Sequence, residues 1–83
     1  MGYFVYILRC CDGTLYTGAT TDLDRRLRVH LSGKGAKYTR GRLPVELVYQ
    51  EKVGDWSAAL RRESAIKKMT REKKLELIAG QRT

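Results

Sequence analysis

The sequence is poor in the residues that most often build metal cages and structural crosslinks. Its 83 residues include one histidine, His30, and two cysteines, Cys10 and Cys11, which are adjacent in the chain. Adjacent cysteines have poor geometry for a structural disulfide, and no second pair supplies the spacing of a zinc site. We therefore expect two reduced thiols, no zinc, and a cytoplasmic protein.

Acidic residues and long apolar runs are scarce as well. Nine Asp and Glu oppose 17 Lys and Arg, so the net charge is +8 and the pI is near 9.9. Such a charge favours a polyanionic partner: nucleic acid, a ribosome or an anionic membrane surface. No segment approaches the ~18 consecutive apolar residues of a membrane span, and the first residues are typical of a strand rather than a signal peptide. The basic residues form no single amphipathic stripe, so we expect no membrane partner.

The apolar pattern predicts three strands and three helices in the order β-β-α-β-α-α. The predicted strands are Tyr3–Arg9, Leu15–Thr20 and Val45–Lys52. The first predicted helix runs from an N-cap at Thr21 to about Ser32, and the second covers Trp56–Met69. The third covers Arg71–Ala79, with Thr70 as its N-cap and Gly80 at its end. We expect one domain over residues 1–83. Its fold class is α+β, a three-stranded antiparallel sheet flanked by three helices. A chain of this length has a thin core, so a polar residue inside an apolar stripe requires an explanation.

Two polar residues of the first helix lie beside its apolar ridge. The ridge consists of three leucines at i, i+4 and i+8: Leu23, Leu27 and Leu31. At 100° per residue, Arg26 and His30 lie on the shoulder of this ridge, whereas Arg25 and Arg28 point towards solvent. The semi-buried pair, four residues apart, is placed for joint action on one substrate group. A solvated basic face with an ordinary boundary histidine is an equally good interpretation of the pattern.

The second long helix carries a carboxylate within its apolar stripe. Glu63 falls between Trp56 and Ile66 on the helical projection. An isolated carboxylate in apolar surroundings is unfavourable by several kcal/mol unless a cation meets it. A metal ion would do so, and so would an ordinary ion pair with Lys67 at i+4. The pattern slightly favours the metal.

Tyrosines at the hairpin give a third signal. Tyr6 lies in the first predicted strand and Tyr16 in the second, and a short turn joins them, so the two side chains can meet. A phenol exchanges protons with water when a nearby cation lowers its pKa. Ordinary packing of strand tyrosines is the commoner explanation.

The segment Gly33–Pro44 combines glycine with spaced basic residues and one aromatic ring. Its candidates for nucleic-acid binding are Lys34, Lys37, Tyr38, Arg40 and Arg42. Flexible loops of this kind contact phosphate backbones without recognising sequence, and the aromatic ring can stack on a base. A surface loop with surplus charge would have the same composition.

Taken in order, these residues resemble the GIY-YIG nucleases over essentially the full chain. The first family motif corresponds to Phe4-Val5-Tyr6 and the second to Tyr16-Thr17-Gly18. The family's arginine, ten residues after the second tyrosine, falls on Arg26, and its histidine four residues later falls on His30. More narrowly, the chain resembles small single-domain bacterial members of uncharacterised function. It departs from the pattern at Phe4, where the family name implies glycine, and in having no asparagine.

The resemblance implies hydrolysis of phosphodiester bonds with one divalent ion, Mg²⁺ or Mn²⁺. The family's metal-binding glutamate falls on Glu63, which would hold the ion on the scissile phosphate. Tyr6 would help to deprotonate the attacking water, and Tyr16 and His30 would order it or take part in proton transfer. Arg26 would neutralise the charge that grows on the phosphorus centre. Which phenol acts as the base stays open.

Two classes of function therefore remain. The favoured one is a metal-dependent endonuclease, with DNA preferred over RNA as substrate. The alternative is a non-catalytic nucleic-acid or ribosome-binding module that keeps the nuclease fold, which the missing asparagine and the absence of a targeting domain both favour. In either case a partner protein could supply targeting, and the sequence does not indicate an oligomeric state.

Overall fold

The computed structural model describes residues 2–81, which form one three-stranded antiparallel sheet and four helices. The strands are β1 (Tyr3–Cys10), β2 (Leu15–Thr20) and β3 (Val45–Val53), and the helices are α1 (Leu23–Leu31), α2 (Lys37–Arg40), α3 (Trp56–Lys67) and α4 (Arg71–Gln81). The strand order is β2-β1-β3, with both pairings antiparallel. The predicted α+β fold class and element order are confirmed, and the single-turn helix α2 is an addition within the segment expected to be a loop.

Strand β1 is apolar from Tyr3 to Leu8 because it is the central strand and both of its faces are covered. Val5 and Ile7 point to one face, where α3 and α4 pack, and they join a core with Ile66 and Ile78. We call this side the α3–α4 face. The alternate side chains of β1, Tyr6 and Leu8 among them, point to the opposite side beneath α1, which we call the α1 face.

Three helix ends differ from the sequence-based prediction, of which one is the end of α3 at Lys67 and not at Met69. The N-cap of α1 is Asp22, whose carboxylate accepts a hydrogen bond from the Arg25 backbone at 3.1 Å, and not Thr21. Both residue types cap helices well, so the local sequence does not choose between them. Helix α4 continues through Gly80 to Gln81, whose side chain pairs with both backbone groups of Gln50 on β3. This tertiary contact explains why glycine does not end the helix.

The segment after α1 is folded back on the helix instead of being a free loop. Gly33 has a φ of 82°, and its N–H donates to the His30 carbonyl while the Lys34 N–H donates to the Val29 carbonyl. This pair of bonds is the Schellman arrangement, which ends a helix on a left-handed residue. The turn directs the next residues back over His30, where α2 forms. The expectation of a flexible stretch is therefore wrong for this part of the segment.

Two apolar ridges are rotated relative to their predicted orientation. Leu31 is 48% exposed, because the buried side of α1 is centred near His30 and Leu27. On α3, Ala59 and Ile66 are fully buried, whereas Trp56 and Leu60 are 42% and 44% exposed. Helix α3 therefore rests on the sheet along one edge of its apolar stripe. Within residues 2–81, no helix has the length and apolar character needed to cross a membrane.

Candidate active site

Three of the predicted site residues meet at the hydroxyl of Tyr6. The Tyr6 oxygen lies 3.1 Å from His30 Nε2 and 3.4 Å from Arg26 Nε, so β1 and successive turns of α1 converge on one atom. His30 is completely buried and Arg26 partly so. The partial burial predicted for Arg26 and the exposure predicted for Arg25 and Arg28 are confirmed, whereas His30 lies at the centre of the buried side of α1 and not on its shoulder.

Glycine at position 18 makes room for this arrangement. The register of the hairpin places Gly18 directly opposite Tyr6, and a Cβ atom at Gly18 would overlap the phenol of Tyr6. The tyrosine ring therefore lies against the bare backbone of β2. Tyr16, two residues earlier on the same face of β2, contacts the edge of the His30 ring, with 5.4 Å between ring centroids. Tyr6, Tyr16, Arg26 and His30 thus form one cluster.

The cluster has a further member that the sequence pattern did not identify. Thr39 of α2 is fully buried, and its hydroxyl lies 2.8 Å from His30 Nδ1 and 2.9 Å from the carbonyl of Ala36. Gly35 is required beside it, because a Cβ there would overlap His30 Nδ1. Both residues lie in a charged segment with no periodic apolar pattern, so nothing local indicates that they face inwards.

The electrostatic environment favours a neutral phenol and a neutral imidazole. Burial raises the pKa of Tyr6, and the hydrogen bond and positive charge of Arg26 oppose that shift without cancelling it. Burial, followed by the charge of Arg26, lowers the pKa of His30. The hydrogen bond with Tyr6 raises the pKa of Arg26, so this guanidinium stays charged. A fixed cation therefore lies beside two groups that can exchange a proton.

Glu63 acts on this cluster through its charge. Its negative charge contributes to the raised pKa of Tyr6, although α3 covers the opposite face of the sheet. The side chain is 20% exposed, and one carboxylate oxygen lies 3.7 Å from Lys67 Nζ. Of the apolar residues between which the prediction placed Glu63, Ile66 is fully buried, whereas Trp56 is 42% exposed. The ion pair with Lys67 is present, but it is long and its lysine is exposed.

The basic residues of the segment divide into two groups. Lys34, Lys37 and Arg40 are exposed, and none of them has an acidic partner within residues 2–81. Arg42, in contrast, donates from Nε to the Asp12 carboxylate at 3.0 Å and from an amino group to the Tyr38 carbonyl at 2.8 Å.

Tyr38 joins the segment to the cluster. The Arg42 guanidinium lies 4.1 Å from the centre of its ring, and Tyr16 stacks against it with 5.9 Å between centroids. Tyr38 and Arg42 therefore already have partners in this structure, and Arg42 ties the segment to the β1–β2 turn through Asp12. The free positive charge of the segment belongs to its lysines and Arg40.

The sequence is similar to a known protein family and to individual proteins of other organisms. A family model described as the GIY-YIG catalytic domain matches residues 2–76. A UPF0213 protein of Natronomonas pharaonis is 53% identical, with 95% of this chain and 93% of that protein covered. One from Streptococcus agalactiae is 55% identical, with coverages of 90% and 85%.

Solved structures show the same similarity. The solution NMR structure of a UPF0213 protein from Bacillus halodurans has a TM-score of 0.61 at 51% identity, covering 95% of this chain and 84% of that one. A solution NMR structure of a protein from E. faecalis has a TM-score of 0.66 at 41% identity, with coverages of 96% and 85%. The names of these relatives state no activity.

Proposed function

The chain belongs to the GIY-YIG family, and from this premise we propose that it is a metal-dependent endonuclease that hydrolyses phosphodiester bonds. The observation that carries the proposal is the convergence of Tyr6, Arg26 and His30 on one hydroxyl group. A purely structural tyrosine needs one partner for its hydroxyl. This one has a cation on one side and an imidazole nitrogen within reach on the other.

The proposed chemistry is a proton relay from water to His30. Tyr6 takes a proton from the attacking water as its own proton passes to His30 Nε2, 3.1 Å away. The lowered pKa of His30 keeps the imidazole neutral, and this step requires that, because only neutral imidazole can accept a proton. Tyr6 is therefore the proposed base, and Tyr16 orders the site from the side. Arg26 stabilises the negative charge that develops on the phosphoryl oxygens.

Glu63 is the residue proposed to hold Mg²⁺ or Mn²⁺. Within residues 2–81, no group of three or more His, Cys, Asp or Glu side chains gathers at one place. One partly exposed carboxylate suits an ion that keeps most of its water and takes its remaining ligands from substrate phosphate. The donor set therefore fits Mg²⁺ or Mn²⁺. When bound, the ion would polarise the phosphoryl group and stabilise the leaving oxygen.

The charge around the cluster supports a nucleic-acid substrate. Between residues 25 and 40 the chain has six basic residues and no acidic one: Arg25, Arg26, Arg28, Lys34, Lys37 and Arg40. None of the six forms an ion pair within residues 2–81. An extended polyanion is therefore attracted to the side of the molecule on which His30 and Tyr6 lie.

The test is cleavage of labelled DNA and RNA, single-stranded, duplex and flapped, with and without Mg²⁺ or Mn²⁺. Wild-type protein should cleave only with metal, and DNA is the favoured substrate. Arg26→Ala should lower turnover by about 10²–10³-fold, since it removes the cation at the developing charge. Glu63→Gln should remove the metal dependence together with the cleavage, while retaining nucleic-acid binding.

Arg25→Ala is the matched control, because Arg25 is the adjacent arginine and lies on the exposed side of α1. It should weaken binding modestly and leave turnover close to wild type, with unchanged melting curves for both arginine variants. A protein that binds nucleic acid and cleaves none of the substrates with either metal would overturn the nuclease proposal. That outcome would favour the non-catalytic binding module.

A further inference from the structure

The buried imidazole of His30 has a partner at each ring nitrogen. Tyr6 lies 3.1 Å from Nε2, and the Thr39 hydroxyl lies 2.8 Å from Nδ1. His30 and Thr39 are both completely buried, so water cannot substitute for either contact. Which nitrogen carries the proton decides whether His30 accepts a proton from Tyr6 or donates one to it.

The hydrogen-bond arrangement of Thr39 answers that question. A threonine hydroxyl has one proton to donate and lone pairs with which to accept. The Thr39 oxygen lies 2.9 Å from the carbonyl of Ala36, which can only accept, so the hydroxyl proton is used there. The contact with His30 then needs a donor on the ring. Nδ1 of His30 therefore carries the proton, and Nε2 is left with a lone pair that faces Tyr6.

The opposite tautomer would leave one contact mismatched and one proton without an acceptor. Its Nδ1 lone pair would face a lone pair of Thr39, and its Nε2–H would donate to the Tyr6 oxygen, which accepts from Arg26 as well. The Tyr6 proton would then have no acceptor among these groups. Burial makes each mismatch more unfavourable, because no water can compensate for it.

We propose that Thr39 is a positioning residue that fixes His30 in the Nδ1-protonated tautomer, so that Nε2 can accept the proton of Tyr6. The local backbone supports this role. Gly33 turns the chain back over α1, and Gly35 lies so close to His30 Nδ1 that it has no room for a side chain. The segment is thus folded so that Thr39 reaches this nitrogen. The consequence for catalysis rests on the proposed nuclease function, whereas the tautomer itself does not.

The tautomer can be measured directly, because His30 is the only histidine in the chain. Two-bond ¹H–¹⁵N correlation spectra of uniformly ¹⁵N-labelled protein at pH 7.5 will show a single imidazole spin system. In the wild-type protein, Nδ1 should have the shift of a protonated nitrogen and Nε2 that of an unprotonated one. A wild-type ring protonated at Nε2 would overturn the proposal without any variant.

Variants at position 39 separate the hydroxyl from the bulk of the side chain. Thr39→Ser keeps the hydroxyl and should keep the tautomer, whereas Thr39→Val keeps the shape and should shift the ring towards Nε2–H. The matched control is Thr17→Val, which removes a buried hydroxyl that has no hydrogen-bond partner within residues 2–81. Its imidazole spectrum should match the wild type. A Thr39→Val protein with an unchanged tautomer would contradict the proposal.

Cleavage kinetics provide the second readout. Thr39→Val should lower kcat by about 10- to 100-fold with little change in KM, and Thr39→Ser should restore most of the loss. Equal kcat values for the wild type and a tautomer-shifted Thr39→Val protein would show that Thr39 does not position His30 for catalysis. If the wild-type protein does not cleave at all, the nuclease proposal fails while the spectra still decide the tautomer. If Thr39→Val does not fold, the wild-type and Thr39→Ser spectra decide it.

Discussion

The two faces of the sheet use buried residues in different ways. The α3–α4 face is an apolar core, in which Val5, Ile7, Ile66 and Ile78 pack together. The α1 face also buries apolar residues, but beside them it buries the imidazole of His30 and the hydroxyls of Tyr6 and Thr39. Strand β1 contributes alternate side chains to both, so one strand connects a face that supports the fold with one that arranges polar groups.

The difference shows how a small chain accommodates a polar site. Buried polar groups are tolerated when each has a hydrogen-bond partner, and those around His30 form a continuous chain from Arg26 to the Ala36 carbonyl. Such a chain fixes geometry but contributes little net stability. The apolar packing on the α3–α4 face must therefore provide most of the free energy of folding.

The largest expected effect is the loss of stability on the α3–α4 face. Ile66→Ala should lower the free energy of unfolding by about 2–5 kcal/mol, because it removes buried methylene groups and leaves a cavity. Leu60→Ala, on the same helix but 44% exposed, should have a much smaller effect. Urea denaturation measures both. If Ile66→Ala does not fold, Ile66→Val should still cost about 0.5–1.5 kcal/mol. Similar losses at the two positions would show that α3 is not anchored along Ala59 and Ile66.

The strands and helices show which parts of the fold the sequence could predict and which it could not. The central strand was predictable because both faces of β1 are covered, so its side chains form an unbroken apolar run from Tyr3 to Leu8. The helices were predictable as amphipathic segments. Which edge of an apolar stripe meets the sheet depends on packing between elements, and for that reason Leu31 was wrongly expected to belong to the buried side of its helix.

The candidate site was predictable to a similar extent. Arg26 and His30 stood out because a helical period places them beside leucines, and Tyr6 because it lies in an apolar strand. Thr39 and Gly35 could not be found in this way, because their contacts with His30 depend on the backward turn at Gly33. The pairing of Arg42 with Asp12, 30 residues away, is likewise a tertiary contact with no local signal.

A second prediction tests the burial of polar groups on the α1 face through pH. The pKa of His30 is lowered in the folded protein, so the unfolded chain takes up a proton first as the pH falls below about 6.5. The contribution of neutral His30 to the free energy of unfolding is therefore complete above that pH. As the pH falls, this contribution declines until the pH has passed the pKa of His30 in the folded protein. The slope can reach about 1.4 kcal/mol per pH unit, the value for one proton.

The measurement is urea denaturation of the wild-type protein and His30→Gln at a series of pH values from 7.5 to 5. Carboxylates titrate mostly below this window, and the Asp12 carboxyl has a pKa lowered further by its hydrogen bonds to Thr14. The wild type should lose stability across the window, and the variant should be nearly flat. Parallel slopes would mean that His30 is not kept neutral by its surroundings.

The smallest expected effect is on nucleic-acid affinity, which should depend more on the lysines of the α1 face than on those of the α3–α4 face. Lys34 and Lys37 lie on the segment that covers His30, and they are exposed and without ion pairs within residues 2–81. Each phosphate contact contributes ~0.9 to the slope of log K against log salt on duplex DNA. Reversing both lysines to Glu should weaken binding and lower the slope by up to about 2.

The control reverses Lys73 and Lys74 on α4, which changes the net charge equally on the opposite face. If binding follows the α1 face, the control should keep more of the wild-type slope, because only the general field is reduced. Identical slopes for the two double variants would show that net charge alone governs binding, and affinity that does not respond to salt would exclude a phosphate-directed interface.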